Sequence, residues 1–482
     1  MSTAPQATNP ERGLRYWMEQ VIHEAEKARD VFKADPVHDL RVAIRRCRSM
    51  AEGFGTIDAE PAWKKMRRAA KPLFSALGDL RDVQVQMEWV EKLGAESDPV
   101  RQRLMDHFQQ REAELKTIAA TALESFDIAQ WQAWTAQLDL RAQLLPAGGE
   151  VFQVMALERW RNARELQSTA LRNRSKNALH ALRIGIKKFR YIAENFLPEL
   201  YDKWHKDLKK SQDLLGEVHD LDVLGETARI LHVFENMEQR QQWTATLQRE
   251  RKQRVDSYRE KMVGPKAQWQ LWRSGLPNGD ALHAAVLKTF ETWSQFRDPQ
   301  IAHTRRVLAM SQAVYERVGD AAAKYEGVSF SDLLAVAVLT HEVGHGEKRE
   351  HHKQTVHMLQ RLDPPPGWKP IHLTLAGMIA RYHRGAPPAD SQKLYAALPA
   401  EAKAVVNLLG GIIRFADALD HGRNGAVAKI KITKSESALI VQASGYKPES
   451  KAAEGIAAAR HLLESTIGIP VMVKSPAIQI AS

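Results

Sequence analysis

The chain has 482 residues, 44% apolar and 26% charged, a formal net charge of +11 and one cysteine. That length exceeds one ordinary core and predicts two to four domains, while the lone Cys47 excludes an intrachain disulfide and fits a reducing, cytoplasmic setting. The longest apolar runs are too short for a membrane span, no membrane insertion is expected, and the charged residues Glu11, Arg12, Glu19 and Glu24 do not read as a secretory signal.

In chain order, residues 1–10 read as a polar tail. From 11 to 272 the chain is rich in Ala, Leu, Gln, Glu, Lys and Arg, which predicts helices. "LLPAGGE" (144–150) breaks this region into halves of about 11–144 and 151–272, and "SGLPNGD" (274–280) ends it. A second helical region, rich in histidine, covers 281–424. Residues 425–482 change texture and predict a small α/β subdomain. "AVAKIKITKSESALIVQASG" (426–445) alternates like a hairpin, "SKAAEGIAAARHLLEST" (450–466) reads as a helix and "IPVMVKS" (469–475) as a last strand. The expected fold class is mainly α.

One sentence is written twice. "HDLRVAIRRCR" begins at His38 and "HALRIGIKKFR" at His180. On a helix, His38, Arg41, Arg45 and Arg48 share one arc, with Arg46 at its flank; His180, Arg183, Lys187 and Arg190 do the same, with Lys188 at the flank. A second basic helix follows each copy. "KKMRRAAKPLFSALGDLRD" (64–82) offers Lys64, Arg67, Arg68 and Lys71, and "KWHKDLKKSQDLLGEVHD" (203–220) offers His205, Lys206 and Lys209. Like charges on one arc repel unless an anion offsets them, and the stripes carry almost none of the i,i+4 acids of an ordinary solvated face. With a net charge of only +11, a polyanion must be met by sorted faces rather than by bulk charge. Nucleic acid is the rival ligand. Single-strand binders interleave aromatic platforms with basic residues, and here only Tyr191 stands at the margin of a stripe.

The two copies, with "LGDLRD" and "LGEVHD" closing each unit, resemble the CHAD family, the conserved histidine α-helical domain, over roughly 11–272. The resemblance implies two helical bundles related by a pseudo-two-fold axis, and inorganic polyphosphate as the ligand of the seventeen basic residues named above. It also implies association with polyphosphate granules, and protein partners there.

The later segments "LLAVAVLTHEVGH", "REHHKQTVHML", "ARYHRGAPP" and "IIRFADALD" deliver histidines and acids on apolar helices, a set that can meet around a divalent metal. They resemble the HD superfamily, and within it the C-terminal domain of the exopolyphosphatase/guanosine pentaphosphatase family. The resemblance implies manganese, magnesium or zinc held by His303, His341, His352, His383 and Asp417, with Glu342 beside His341. Arg384 and Arg414 stand where they could hold phosphate oxygens. The departure is the doublet: the family's His-Asp is here His341-Glu342, whose extra methylene moves the carboxylate. The reading is therefore a polyphosphate-binding protein whose HD-like half senses, modulates or weakly hydrolyses a phosphorylated ligand. The alternatives are a metal-dependent phosphohydrolase recruited by its CHAD-like half, and a granule-targeting scaffold.

Overall fold

The computed structural model describes residues 13–30, 34–173, 175–346, 351–427 and 429–476, so the expected polar tail at 1–10 lies outside the described residues. The chain forms two compact units that divide between Pro277 and Asn278. Both are mainly helical, as expected, and no helix among the described residues is long and apolar enough to cross a membrane.

The first unit holds α1 (Leu14–Asp30), α2 (Ala34–Ile57), α3 (Pro61–Ala69), α4 (Lys71–Leu93), α5 (Pro99–Glu124) and α6 (Ile128–Ala142). It continues with α7 (Glu150–Asn173), α8 (Lys176–Phe196), α9 (Pro198–Ile230), α10 (Met237–Met262) and α11 (Gln268–Ser274). Proline at the first turn starts α3, α5 and α9, where the missing N–H has no intrahelical partner to lose. Side-chain caps begin others: Asp127 accepts from Gln130 N, Ser175 from Ala178 N and Asn236 from Gln239 N. The halves repeat a pattern, α1 on α2 and α7 on α8, and they join through α2 against α8 and α4 against α9. A shared core seals that joint, with Trp89, Val90, Leu104 and Phe108 packed among Leu221, Leu224, Ala228 and Trp243.

One expectation fails here. Residues 64–82 are not a single helix, because the chain breaks at Ala70 between α3 and α4. Pro72 lies in the first turn of α4 and cannot donate back into a helix continued from α3. The equivalent stretch of the second half has no internal proline, and α9 runs unbroken for 33 residues.

The second unit holds α12 (Gly279–Gln295), α13 (Ile301–Val318), β1 (Lys324–Tyr325), β2 (Val328–Ser329), α14 (Phe330–Thr340), α15 (His351–Gln360), α16 (Pro370–Arg381), α17 (Lys393–Ala396) and α18 (Ala400–Leu419). After these come β3 (Ile430–Lys434), β4 (Leu439–Ala443), α19 (Lys451–Ala459), α20 (His461–Ile467) and β5 (Val471–Lys474). The β1–β2 hairpin was not legible in the sequence. Its strands are two residues each, too short for alternation, and its turn uses positive φ at Glu326 (44°) and Gly327 (97°). In the tail, β4 pairs antiparallel with β3 and parallel with β5. The predicted helix at 450–466 is two, α19 and α20, parted at Arg460. Both pack on α18, and a Cβ at Gly411 would lie 2.9 Å from the Leu463 backbone, so glycine there sets how closely α18 and α20 approach.

Candidate functional site

Two sites emerge, one in each unit. In the first, the basic stripe of α2 and the basic stripe of α8 open onto one groove. Arg41 and Arg45 from α2, Arg183, Lys187 and Tyr191 from α8, Phe74 from α4, and Gln212, Asp213, Gly216, Glu217 and Asp220 from α9 line it. Its volume is about 320 Å³. The Nε atoms of Arg41 and Arg45 and the Tyr191 hydroxyl are buried and make no hydrogen bond, a state that a bound anion would relieve. Burial, then the neighbouring Arg183, Arg45 and Arg41, push the Lys187 ammonium down to about 8. The repeat extends to the glycines next to the stripes. Each "LG" glycine lies beside the arginine of its own half: a Cβ at Gly78 would stand 3.9 Å from Arg41 Nε and one at Gly216 3.8 Å from Arg183 Nε, ordinary contact in both cases.

The other predicted residues are placed differently. Arg48 donates to the Arg67 carbonyl at 2.8 Å, and both line a neighbouring cavity together with Lys188. Arg46 and Arg190 are committed to Glu194, which also accepts from the Tyr201 hydroxyl at 2.9 Å. Glu194 is the i,i+4 acid of Arg190 that the stripe reading passed over. His180 faces His219, Nδ1 to Nδ1 at 3.3 Å, whereas His38 is exposed. His205 contacts the Asp202 carbonyl at 2.9 Å, and Lys64, Arg68, Lys71, Lys206 and Lys209 are exposed outside both linings.

Three features were missed. Phe74 lies beneath Arg41 and Arg48, at 5.9 and 5.1 Å, and Tyr191 beneath Arg45 and Lys187, at 5.5 and 5.8 Å. The expectation of a site nearly free of aromatics is thus corrected: Tyr191 was noted at the margin of its stripe, but Phe74, which another helix brings beneath the arginines of α2, does not show on either wheel. Arg159 of α7 also lines the neighbouring cavity. Finally, α9 supplies a carboxyl wall. Glu217 is paired with Arg254 at 2.8 Å, and burial raises Asp220 to about 6 despite Arg183.

In the second unit, helix ends converge. His303 comes from the first turn of α13, His341 and Glu342 from the two residues that follow α14, Asp417 from the last turn of α18, and one ligand atom from each lies within 4.8 Å of the others. His341 Nδ1 donates to the Val338 carbonyl at 2.6 Å, which directs Nε2 inward. That Nε2 is buried without a hydrogen bond, 3.7 Å from Glu342 Oε1 and 3.8 Å from Asp417 Oδ1. Burial alone would raise the Asp417 carboxyl, but the hydrogen bond from His303 and the nearby imidazoles of His341 and His383 hold it well below the ordinary range. Two imidazoles, two carboxylates and an unsatisfied buried nitrogen fit a divalent cation. His383 stands at the edge, Nε2 3.6 Å from Glu342 Oε1, and His352 lies behind it with ring centroids 6.5 Å apart. The structure therefore brings together four of the six predicted ligands.

Arg384 reaches the cluster, Nε 3.4 Å from Asp417 Oδ2. Arg414 instead donates to the carbonyls of Tyr382 and Gly385 at 3.3 and 2.7 Å. Two residues went unnoticed in the sequence. Asp420 accepts from His303 Nδ1 at 2.7 Å and binds Arg306. Arg423, at positive φ in the following turn, donates to Glu342 Oε1 at 2.9 Å. Arg423 thus holds a carboxylate that a metal would need. Replacing it by Gln is expected to tighten manganese or zinc binding by roughly tenfold, the size of one charge-assisted hydrogen bond. Calorimetry on the metal-stripped full chain checks this; unchanged affinity would show that the contact does not compete.

Comparison with known families decides what these units are. The CHAD domain family matches residues 14–229 and the HD domain family matches residues 301–422. The chain carries a CHAD domain and an HD domain. The groove lies in the CHAD domain and the His303 cluster in the HD domain. A crystal structure of the CHAD domain from the plant Ricinus communis aligns with 58% of this chain and 96% of its own, at 20% identity and a TM-score of 0.38. Among curated proteins, none matches the chain.

Proposed function

We propose that the CHAD domain binds inorganic polyphosphate, and that the HD domain takes a phosphorylated ligand. One observation carries the first part: Arg41, Arg45, Arg183 and Lys187, contributed by both copies of the repeat, line a single groove. A phosphate chain presents oxygens at regular spacing and needs only repeated cationic donors. CHAD domains are associated with polyphosphate, which supports the same ligand. The rings of Phe74 and Tyr191 lie against guanidinium and ammonium groups.

Affinity for long polyphosphate is expected to fall as pH rises. Two groups set the sign. Asp220, near 6, gains negative charge above that value, and Lys187, near 8, loses positive charge above it. Above pH 8 binding must bring a proton to Lys187, so that limb should fall by up to about tenfold per pH unit. Lys187→Arg should flatten it. A profile that stays level from pH 6 to 9, or that the arginine variant leaves steep, would remove Lys187 from the site.

For the HD domain, His303, His341, Glu342 and Asp417 would hold a divalent cation. Such an ion would supply Lewis acidity toward a phosphoryl oxygen and lower the pKa of bound water. Arg384, 3.4 Å from Asp417, is placed to take a phosphate oxygen. The Glu342 carboxylate is already held by Arg423 at 2.9 Å and His345 at 2.7 Å, which favours ligand sensing over rapid turnover. The separating assay is phosphate release from polyphosphate with manganese, magnesium and zinc. Turnover below one chain per enzyme per hour agrees with sensing; rapid turnover lost in His341→Ala makes the protein a phosphohydrolase.

A further inference from the structure

Beside the groove lies a cavity of about 170 Å³, and Arg45, Phe74, Lys187 and Tyr191 line both. Its chemistry is different. Met155 and Ile192, each 5% exposed, line it with Phe74, and Arg48, Arg67 and Arg159 supply guanidinium groups. A phosphate chain gains nothing from an apolar wall, since phosphate pressed against methionine and isoleucine loses water without gaining hydrogen bonds. An aliphatic cavity of about 150 Å³ holds a benzene ring, so this volume suits one planar aromatic system.

The wall is also built for a planar group. Phe74 carries the Arg48 guanidinium 5.1 Å from its centroid, and bases stack on aromatic rings and on guanidinium planes alike. Ser49 and Glu52 add a hydroxyl and a carboxylate to the lining, the groups that meet the ring N–H and exocyclic amine edges of a base. The groove alone, at about 320 Å³, is at the small end for a ligand site, and the adjoining cavity extends it.

We propose that this cavity is a nucleobase subsite, so that groove and cavity together take nucleoside polyphosphates. The phosphates lie along Arg41, Arg183 and Lys187, and the base lies against Met155 and the Arg48 guanidinium that Phe74 carries. This rests on the polyphosphate reading of the groove and extends it to a ligand with an aromatic end.

The test is calorimetry of the full chain, in EDTA, with inorganic tripolyphosphate, ATP and GTP at one ionic strength, and with long-chain polyphosphate as the reference ligand. At least one nucleotide should bind about tenfold tighter than tripolyphosphate, within the range of one stacked base. Phe74→Leu keeps the wall apolar but removes the π face. Met155→Phe puts a rigid ring into the apolar side of the cavity at a residue outside the groove lining. Both should abolish the tenfold ratio of nucleotide to tripolyphosphate affinity, and Met155→Phe, which lies outside the groove lining, should leave tripolyphosphate binding within twofold, with circular dichroism reporting the fold. Equal affinity of nucleotides and tripolyphosphate overturns the subsite while the groove reading stands. An increment that survives both variants places the base elsewhere and also overturns it. Failure of long-chain polyphosphate to bind removes the groove reading, and the subsite with it.

Discussion

Replacing Arg41, Arg45, Arg183 and Lys187 together by alanine is expected to weaken long-chain polyphosphate binding by at least a thousandfold. Each side chain lines the shared groove, and a hydrogen bond to a charged group contributes about 1.5–3 kcal/mol. Four of them exceed the threshold even with substantial non-additivity. The variant should remain folded. Burial lowers the Arg41 guanidinium as it lowers Lys187, so in the free protein these charges are held against their preference. Truncating them should leave the thermal midpoint unchanged or raised. Affinity in the parent chain should also fall with salt, roughly linearly on logarithmic axes, as phosphate neutralisation releases counterions. A folded quadruple variant that binds within tenfold of the parent would sink the groove as the site.

His341→Ala is expected to abolish tight divalent-metal binding, lowering affinity by at least about a hundredfold, since even outer partners of metal ligands are worth ten- to hundredfold. The imidazole it removes carries the buried Nε2 that makes no hydrogen bond and faces both Glu342 and Asp417. Metal content after desalting, read by mass spectrometry, checks it. Retention of stoichiometric metal in the variant would exclude this cluster as the metal site. Glu342→Asp is the companion change. The shorter side chain should let go of Arg423, 2.9 Å away in the parent, and leave the carboxylate closer to the backbone of α14. Gain of phosphate release in that variant would identify the extra methylene as the element that holds activity down.

The mainly helical fold was legible because long alanine- and leucine-rich runs with few glycines leave little else to form. The repeat was legible because two copies of the same eleven-residue pattern put Arg41 and Arg183, or Arg45 and Lys187, at matching places on two helices. What one helix cannot show is what another brings to it. Arg46 and Arg190 look like further binding residues on their own wheels, yet both bend to Glu194. Phe74 was visible in the sequence, but its place beneath arginines of α2 depends on the turn at Ala70. In the HD domain, His303, His341 and Asp417 lie in recognisable helical segments. Asp420 and Arg423 sit at and beyond the end of α18, where no periodicity marks a residue as inward-facing.

The repeat of basic residues across the groove has a consequence for how a repetitive ligand is counted. Arg41 and Arg183 stand in matching surroundings, each beside the glycine of its own half. Inorganic polyphosphate is one unit repeated, so a chain longer than the groove can be laid along it in many registers that make the same contacts. Each register is a separate way to be bound. The association constant per chain should therefore keep rising in proportion to chain length after the groove is full, while the amount bound per phosphate levels off. The gain is one of multiplicity rather than of contact, and it would let a chain shift along the protein without being released.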